Sequence, residues 1–128
     1  MTEKILNKIL VVEDNEDIRN LIKLTLTELG SYRVETASNG FAALDMMQIW
    51  PPELIVMDVK MPFLDGPSTL IRMKQKENLK NIPVVFITGL SMTIELECLL
   101  KIGGLAYLLK PFDPVELCDQ IEKIWKEL

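Results

Sequence analysis

Short apolar runs recur along this chain at a steady interval, and that interval restricts the fold more than any other feature. They are KILVVE at 8–13, YRVETA at 32–37, ELIVMD at 53–58, PVVFIT at 83–88 and LAYLL at 105–109. Each is brief and rich in β-branched or aromatic residues, as strands are. Helix-period segments lie between them. Ile18, Leu21, Ile22, Thr25 and Leu29 fall on one stripe and predict a first helix, with Gly30 placed to stop it. Further helices are expected over 41–49, over 67–76 with Pro67 in the first turn, over 92–102 ahead of Gly103 and Gly104, and over 115–125 behind Asp113 and Pro114. Five strands alternating with five helices predict an α/β domain built on a parallel sheet with helices flanking it.

The length of 128 residues fits one domain, 1–128, with its core over about 7–127, and neither a linker nor a repeat divides it. With 48% hydrophobic and 26% charged residues the chain is of globular composition. Its net charge of −5 argues against direct nucleic-acid or anionic-lipid binding, which need a basic surface. The opening MTEKILNKIL has no apolar export segment, and no stretch reaches the roughly 20 apolar residues of a membrane span, so a cytoplasmic location is expected. Cys98 and Cys118 form no CxxC pattern and the chain has no His, which removes zinc and Cys–His chemistry. Both cysteines are expected in or near the core, and the seven methionines in core and interface positions.

The stretch LIVMDVKMP poses the functional question, because its apolar run ends in a carboxylate, Asp58. A strand buried on both faces is hostile to charge unless the charge is paired or binds a metal. In open parallel sheets the functional crevice lies at the carboxyl ends of the strands, near the reversal of strand order. Glu13 and Asp14 close the first strand, Asp58 the third and Thr88 the fourth, while Lys110 and Pro111 follow the fifth. If the order is 2-1-3-4-5, the three carboxylates converge, with Thr88 and Lys110 to one side. Two unit charges roughly 4 Å apart repel by about 4 kcal/mol at an effective dielectric near 20, so a cation is required. Lys110 supplies one. Hard oxygen ligands without His or Cys point to Mg²⁺ as another.

Taken one at a time, these residues have ordinary explanations as a helix cap, a loop acid, a strand threonine and a surface lysine. Together, VVEDN, LIVMDVKMPFLDG, VVFITG and YLLKPF closely resemble the response-regulator receiver domain of two-component phosphorelays, over about residues 7–127. The resemblance implies the flavodoxin-like order 2-1-3-4-5. It implies Asp58 as phosphoacceptor, a carboxylate nucleophile taking phosphoryl from a histidine kinase or histidine phosphotransfer protein. Glu13, Asp14, Asp58 and the backbone carbonyl of Lys60 would hold Mg²⁺, Lys110 would pair with phosphoryl oxygens, and Thr88 would donate its hydroxyl to one. Tyr107 matches the family's switching aromatic, Pro111 its cis-proline, and Asp65-Gly66 the turn after the phosphorylation site. GGLAY departs from the family's usual Gly-Ala-x-Asp-Tyr, which bears on the face formed by the fourth helix, fifth strand and fifth helix. That face would bind a downstream effector in trans, and Lys60 and Leu90, flanking the path of water to the phosphorus, would set the phosphoryl lifetime. The protein would act on no substrate other than its own phosphoryl group.

Three rivals compete with this reading. A haloacid-dehalogenase-type phosphatase also uses an Asp nucleophile with Mg²⁺ but wants a second Asp two residues later, where this chain has Lys60. A flavodoxin-like nucleotide or flavin binder wants a Gly/Ser/Thr-rich loop after the first strand, where this chain has EDNED. A pseudo-receiver that only docks partners would not need the acidic cluster.

Overall fold

The computed structural model describes residues 4–89 and 93–128. The chain alternates β1 (Lys8–Val12), α1 (Glu16–Glu28), β2 (Arg33–Ala37), α2 (Gly40–Ile49), β3 (Leu54–Asp58), α3 (Gly66–Lys74), β4 (Val84–Thr88), α4 (Thr93–Lys101), β5 (Ala106–Leu109) and α5 (Pro114–Lys126). The strands form one sheet in the order β2-β1-β3-β4-β5, with every pairing parallel. The expected fold class and strand order are both present.

Strand alternation explains the unbroken apolar runs. Leu10 and Val12 of β1, Ile55 and Met57 of β3, and Val84 and Phe86 of β4 pack into one core with Ala43 and Met47 of α2, Leu70 and Met73 of α3, and Leu96 and Leu99 of α4. Their strand neighbours Ile9, Val11, Leu54, Val56, Val85 and Ile87 point the other way, onto Ile22 and Leu26 of α1 and Leu117 and Ile121 of α5. Helices thus cover both faces, and β3 and β4 are buried at every position.

Local chemistry sets the helix ends. Asn15, Asn39, Asp65 and Asp113 are N-caps whose side chains accept backbone N–H bonds from Ile18, Ala42, Ser68 and Val115 respectively. Three expectations need correction. The buried face of α1 is Ile22, Thr25 and Leu26; Leu21 is 44% and Leu29 58% exposed. Leu29 is the C-cap, beyond the last packed turn, and Leu21 is rotated about 100° from Ile22. Gly30 does not supply the reversed backbone: Ser31 does, with φ 59°, while a Cβ on Gly30 would run into the ring of Tyr32 and the carbonyl of Leu26. Cys98 is exposed because α4 buries only Leu96 and Leu99. Cys118 is half-buried against the Thr25 carbonyl, Sγ to O 3.6 Å, and burial followed by the Asp119 charge pushes its thiol up. Met47, Met57, Met61 and Met73 are core residues as expected. Among the described residues no helix is long and apolar enough to cross a membrane.

Candidate functional site

The carboxyl edge of the sheet collects the acidic residues. The Glu13 N–H donates to the Ala37 carbonyl at 3.1 Å, carrying the β1–β2 ladder one residue beyond the strand and leaving Glu13 only 2% exposed. Its Oε2 accepts from the Asn15 N–H at 3.2 Å, and its Oε1 from Lys110 Nζ at 3.0 Å. Asp14, the next residue, is exposed. One turn into α1, Arg19 Nη1 donates to the Glu13 carbonyl at 3.0 Å and reaches the Asp14 carbonyl at 3.5 Å, which fixes the loop from behind.

Asp58 ends β3 opposite Ile87 of β4 and is 8% exposed. Its Oδ1 accepts from the Val59 N–H at 2.8 Å and its Oδ2 lies 3.2 Å from Lys110 Nζ. Gly66 brings the start of α3 against this strand end. Its N–H donates to the Val59 carbonyl at 2.9 Å, and a Cβ there would collide with the Asp58 carbonyl and press on the Phe86 ring. Asp65-Gly66 is therefore the helix start and not the turn itself. Asp65 Oδ1 accepts the Ser68 N–H at 2.8 Å, and the reversed backbone falls on Phe63, φ 70°. Thr88, 1% exposed, ends β4, and its carbonyl accepts the Lys110 N–H at 2.8 Å. The Lys110–Pro111 bond is cis, as the resemblance implies.

Carboxylate oxygens of Glu13, Asp14 and Asp58 lie within 4.8 Å of one another. Lys110 is the cation paired with two of them, so three acids face one ammonium. Burial lowers the affinity of Lys110 for its proton, but the hydrogen bond to Glu13 and the charges of Asp58 and Glu13 outweigh it and hold the ammonium above its usual range. Asp14 is pushed up, first by burial, then by its hydrogen bond to Glu13 and the Glu13 charge. The donor set is all oxygen and carries surplus negative charge, which fits Mg²⁺ and not a thiolate- or imidazole-binding metal. Beside the acids a cavity of about 270 Å³ is lined by Asp58, Lys60, Thr88, Gly89 and Lys110.

Every active-site residue expected from sequence within the described segments falls on this edge, and Tyr107 lies half-buried on β5, the strand beside Thr88. Lys60 is exposed and lines the cavity; Leu90 lies outside the described residues. Sequence reasoning missed Arg19, Gly89 and the close approach of Gly66 to Asp58. Arg19 was legible in principle, since it stands one turn beyond the cap Asn15. The closeness of Gly66 to Asp58 depends on how α3 packs, and sequence spacing holds no record of that.

Comparison with known proteins agrees with the geometry. The family model described as response regulator receiver domain matches residues 9–122. The chain is 38% identical over 117 residues to a probable transcriptional regulator, ycf27, of Porphyra purpurea, covering 91% of this chain and 46% of that protein. It is 32% identical over 129 residues to chemotaxis protein CheY-3 of Vibrio cholerae, covering 98% and 99%. Thus it spans about half the length of the ycf27-type relatives and nearly all of the chemotaxis protein. Among solved structures, chemotaxis response regulator CheY4 of Vibrio cholerae superposes with TM-score 0.86 at 28% identity, covering 94% and 99%. A Francisella response-regulator receiver domain does so at 0.84 and 32%, covering 94% and 98%.

Proposed function

Because this chain belongs to the response regulator receiver family, we propose that Asp58 is its phosphoacceptor. The observation that carries this is the convergence of Glu13, Asp14 and Asp58 within 4.8 Å, with Lys110 bridging Glu13 and Asp58. One carboxylate oxygen of Asp58 attacks the phosphorus of a phosphohistidine. The new O–P bond forms as the P–N bond breaks, and the imidazole leaves with the electron pair. Lys110, already aimed at Asp58 Oδ2, pairs with the arriving phosphoryl oxygens, and the Thr88 hydroxyl donates to one of them. Bound Mg²⁺, held by Glu13, Asp14, Asp58 and the carbonyl of Lys60, would offset the negative charge that otherwise repels the phosphoryl group.

Response regulators work with histidine kinases and effectors. For this chain the donor is a histidine kinase or histidine phosphotransfer protein, and the output is protein binding in trans by the face of α4, β5 and α5. Half-buried Tyr107 turns further inward as Thr88 moves toward the phosphoryl group. The chain's own role is acceptance and loss of phosphoryl, without turnover of an external substrate and without direct nucleic-acid contact, in keeping with its net charge of −5. Lys60 tunes the lifetime, since it is exposed and lines the cavity beside Asp58, where it can cover the path of the hydrolytic water. The same lysine counts against the dehalogenase-type rival, which needs an acid there.

Acetyl phosphate with Mg²⁺, followed by intact-mass spectrometry, tests the assignment. One phosphoryl adduct is expected on the wild type, and none without a divalent cation or in Asp58→Asn; equal labelling of both proteins would reject it. Decay of the adduct should change more than about twofold in Lys60→Asn, about 0.4 kcal/mol or more of barrier.

A further inference from the structure

Between α2 and α3 runs an open groove of about 710 Å³ that shares no lining residue with the acidic site. Leu44 and Leu64, each less than a tenth exposed, form its floor, and Ile71, 47% exposed, forms one wall. Its charged lining residues are both cations, Arg72 and Lys76, on a chain whose net charge is −5. Among the described residues neither is ion-paired with a carboxylate, whereas the nearby Glu77 is already taken by Lys80 at 2.9 Å. Arg72 is held in place without being neutralised, its guanidinium stacking over the Phe41 ring, 5.2 Å from the centroid. A Gln48–Asn78 side-chain hydrogen bond of 3.0 Å ties the far end of α2 to the chain beyond α3.

We propose that this groove docks an amphipathic helix of a partner protein, with apolar side chains on Leu44, Leu64 and Ile71 and a carboxylate on Arg72. Helix-in-groove recognition combines an apolar floor with polar groups at the rim, and here Leu44 of α2, Leu64 and Ile71 are flanked by Ser68, Arg72, Gln75 and Lys76. The choice of an acidic partner follows from charge: a guanidinium fixed by ring stacking presents its N–H fork to a carboxylate in a bidentate geometry with little further loss of freedom. Lys76 extends the same preference along the groove. This surface takes no lining residue from α4, β5 or α5, and the proposal stands whether or not Asp58 is the phosphoacceptor.

A fluorescence-anisotropy titration of the whole chain decides the matter with designed helical peptides about four turns long. One carries a Leu/Ile stripe rimmed by Glu, one the same stripe rimmed by Lys, and one the Glu rim with the stripe scrambled. Saturable binding of the first alone is expected, weakened about tenfold or more by Arg72→Glu and by Ile71→Ser and to a lesser, intermediate degree by Arg72→Lys, which keeps the charge and loses the planar fork. Arg72 and Ile71 are surface residues, and amide NMR spectra of the variants confirm the fold while mapping the shifts to residues 41–49 and 64–76. Equal binding of the Lys-rimmed or scrambled peptide, no binding of any, or shifts confined to 93–127 would overturn the proposal. So would self-association of the wild type that Arg72→Glu abolishes, which would make a second copy the occupant.

Discussion

Asp14 illustrates how a carboxylate in the acidic cluster is maintained at the expense of the fold. Its carboxyl is pushed above the usual range by burial and by Glu13, so the folded protein holds that proton more tightly than the unfolded chain does. The stabilisation from protonation is present at low pH and is lost as pH rises through the folded value, which leaves a penalty at neutrality. Asp14→Asn is therefore expected to raise stability at pH 7 in metal-free buffer, by less than about 1 kcal/mol because the side chain is exposed. Urea unfolding checks this, and Mg²⁺ should stabilise the wild type and have a smaller effect on the variant. Phe63 presents a different kind of cost. An aromatic side chain in the left-handed region at φ 70° with 83% exposure gains little from packing to set against the strain. Phe63→Gly should stabilise by about 1 kcal/mol, raising Tm by about 4 °C in a calorimetric scan.

At the scale of elements, the amino edge of the sheet depends on one side chain. Glu53 Oε1, just before β3, accepts the N–H of Asn7 at 2.7 Å and of Lys8 at 2.9 Å, and its Oε2 meets Lys4 at 3.3 Å. Burial raises its pKa, but these donors outweigh burial and hold the carboxyl below its ordinary value. Its contribution is complete above that value and disappears as pH falls through the folded one. Glu53→Ala should cost about 1.5–3 kcal/mol at pH 7 and far less near pH 3, read from denaturation midpoints at both. Nothing in the apolar periodicity signals this residue. The strands were legible because a strand buried on both faces must be apolar throughout, and the site because parallel strands have only one edge at which Glu13, Asp14, Asp58 and Lys110 can meet. Side-chain bridges such as Glu53 to β1 or Tyr32 to Glu122, with O to O of 2.6 Å, join residues far apart in sequence and obey no period. The α1 stripe was misread for a related reason: period names the face, but packing against β1, β2 and α5 decides how much of it is covered.

Across the whole molecule the sheet is a rigid spacer with unlike edges. Chemistry gathers where β1, β3 and β4 end, while the Trp125 indole N–H donates to the Lys4 carbonyl at 2.7 Å, next to the prolines that precede β3 and β4. If phosphoryl capture reshapes α4, β5 and α5, beryllofluoride with Mg²⁺ should shift amide resonances over 93–127, and shifts restricted to 57–61 would count against it. The pairing of Trp125 with Lys4 also bears on architecture. From Leu54, at that edge, β3 runs four steps of about 3.3 Å to Asp58, roughly 13 Å. A module joined ahead of Lys4 or behind Trp125 would start from the amino edge of the sheet, away from Asp58. A fluorescent protein fused at the amino or the carboxyl end should therefore leave the rate of acetyl-phosphate labelling within about twofold of the unfused chain, so the domain can be moved between protein contexts without rebuilding its chemistry.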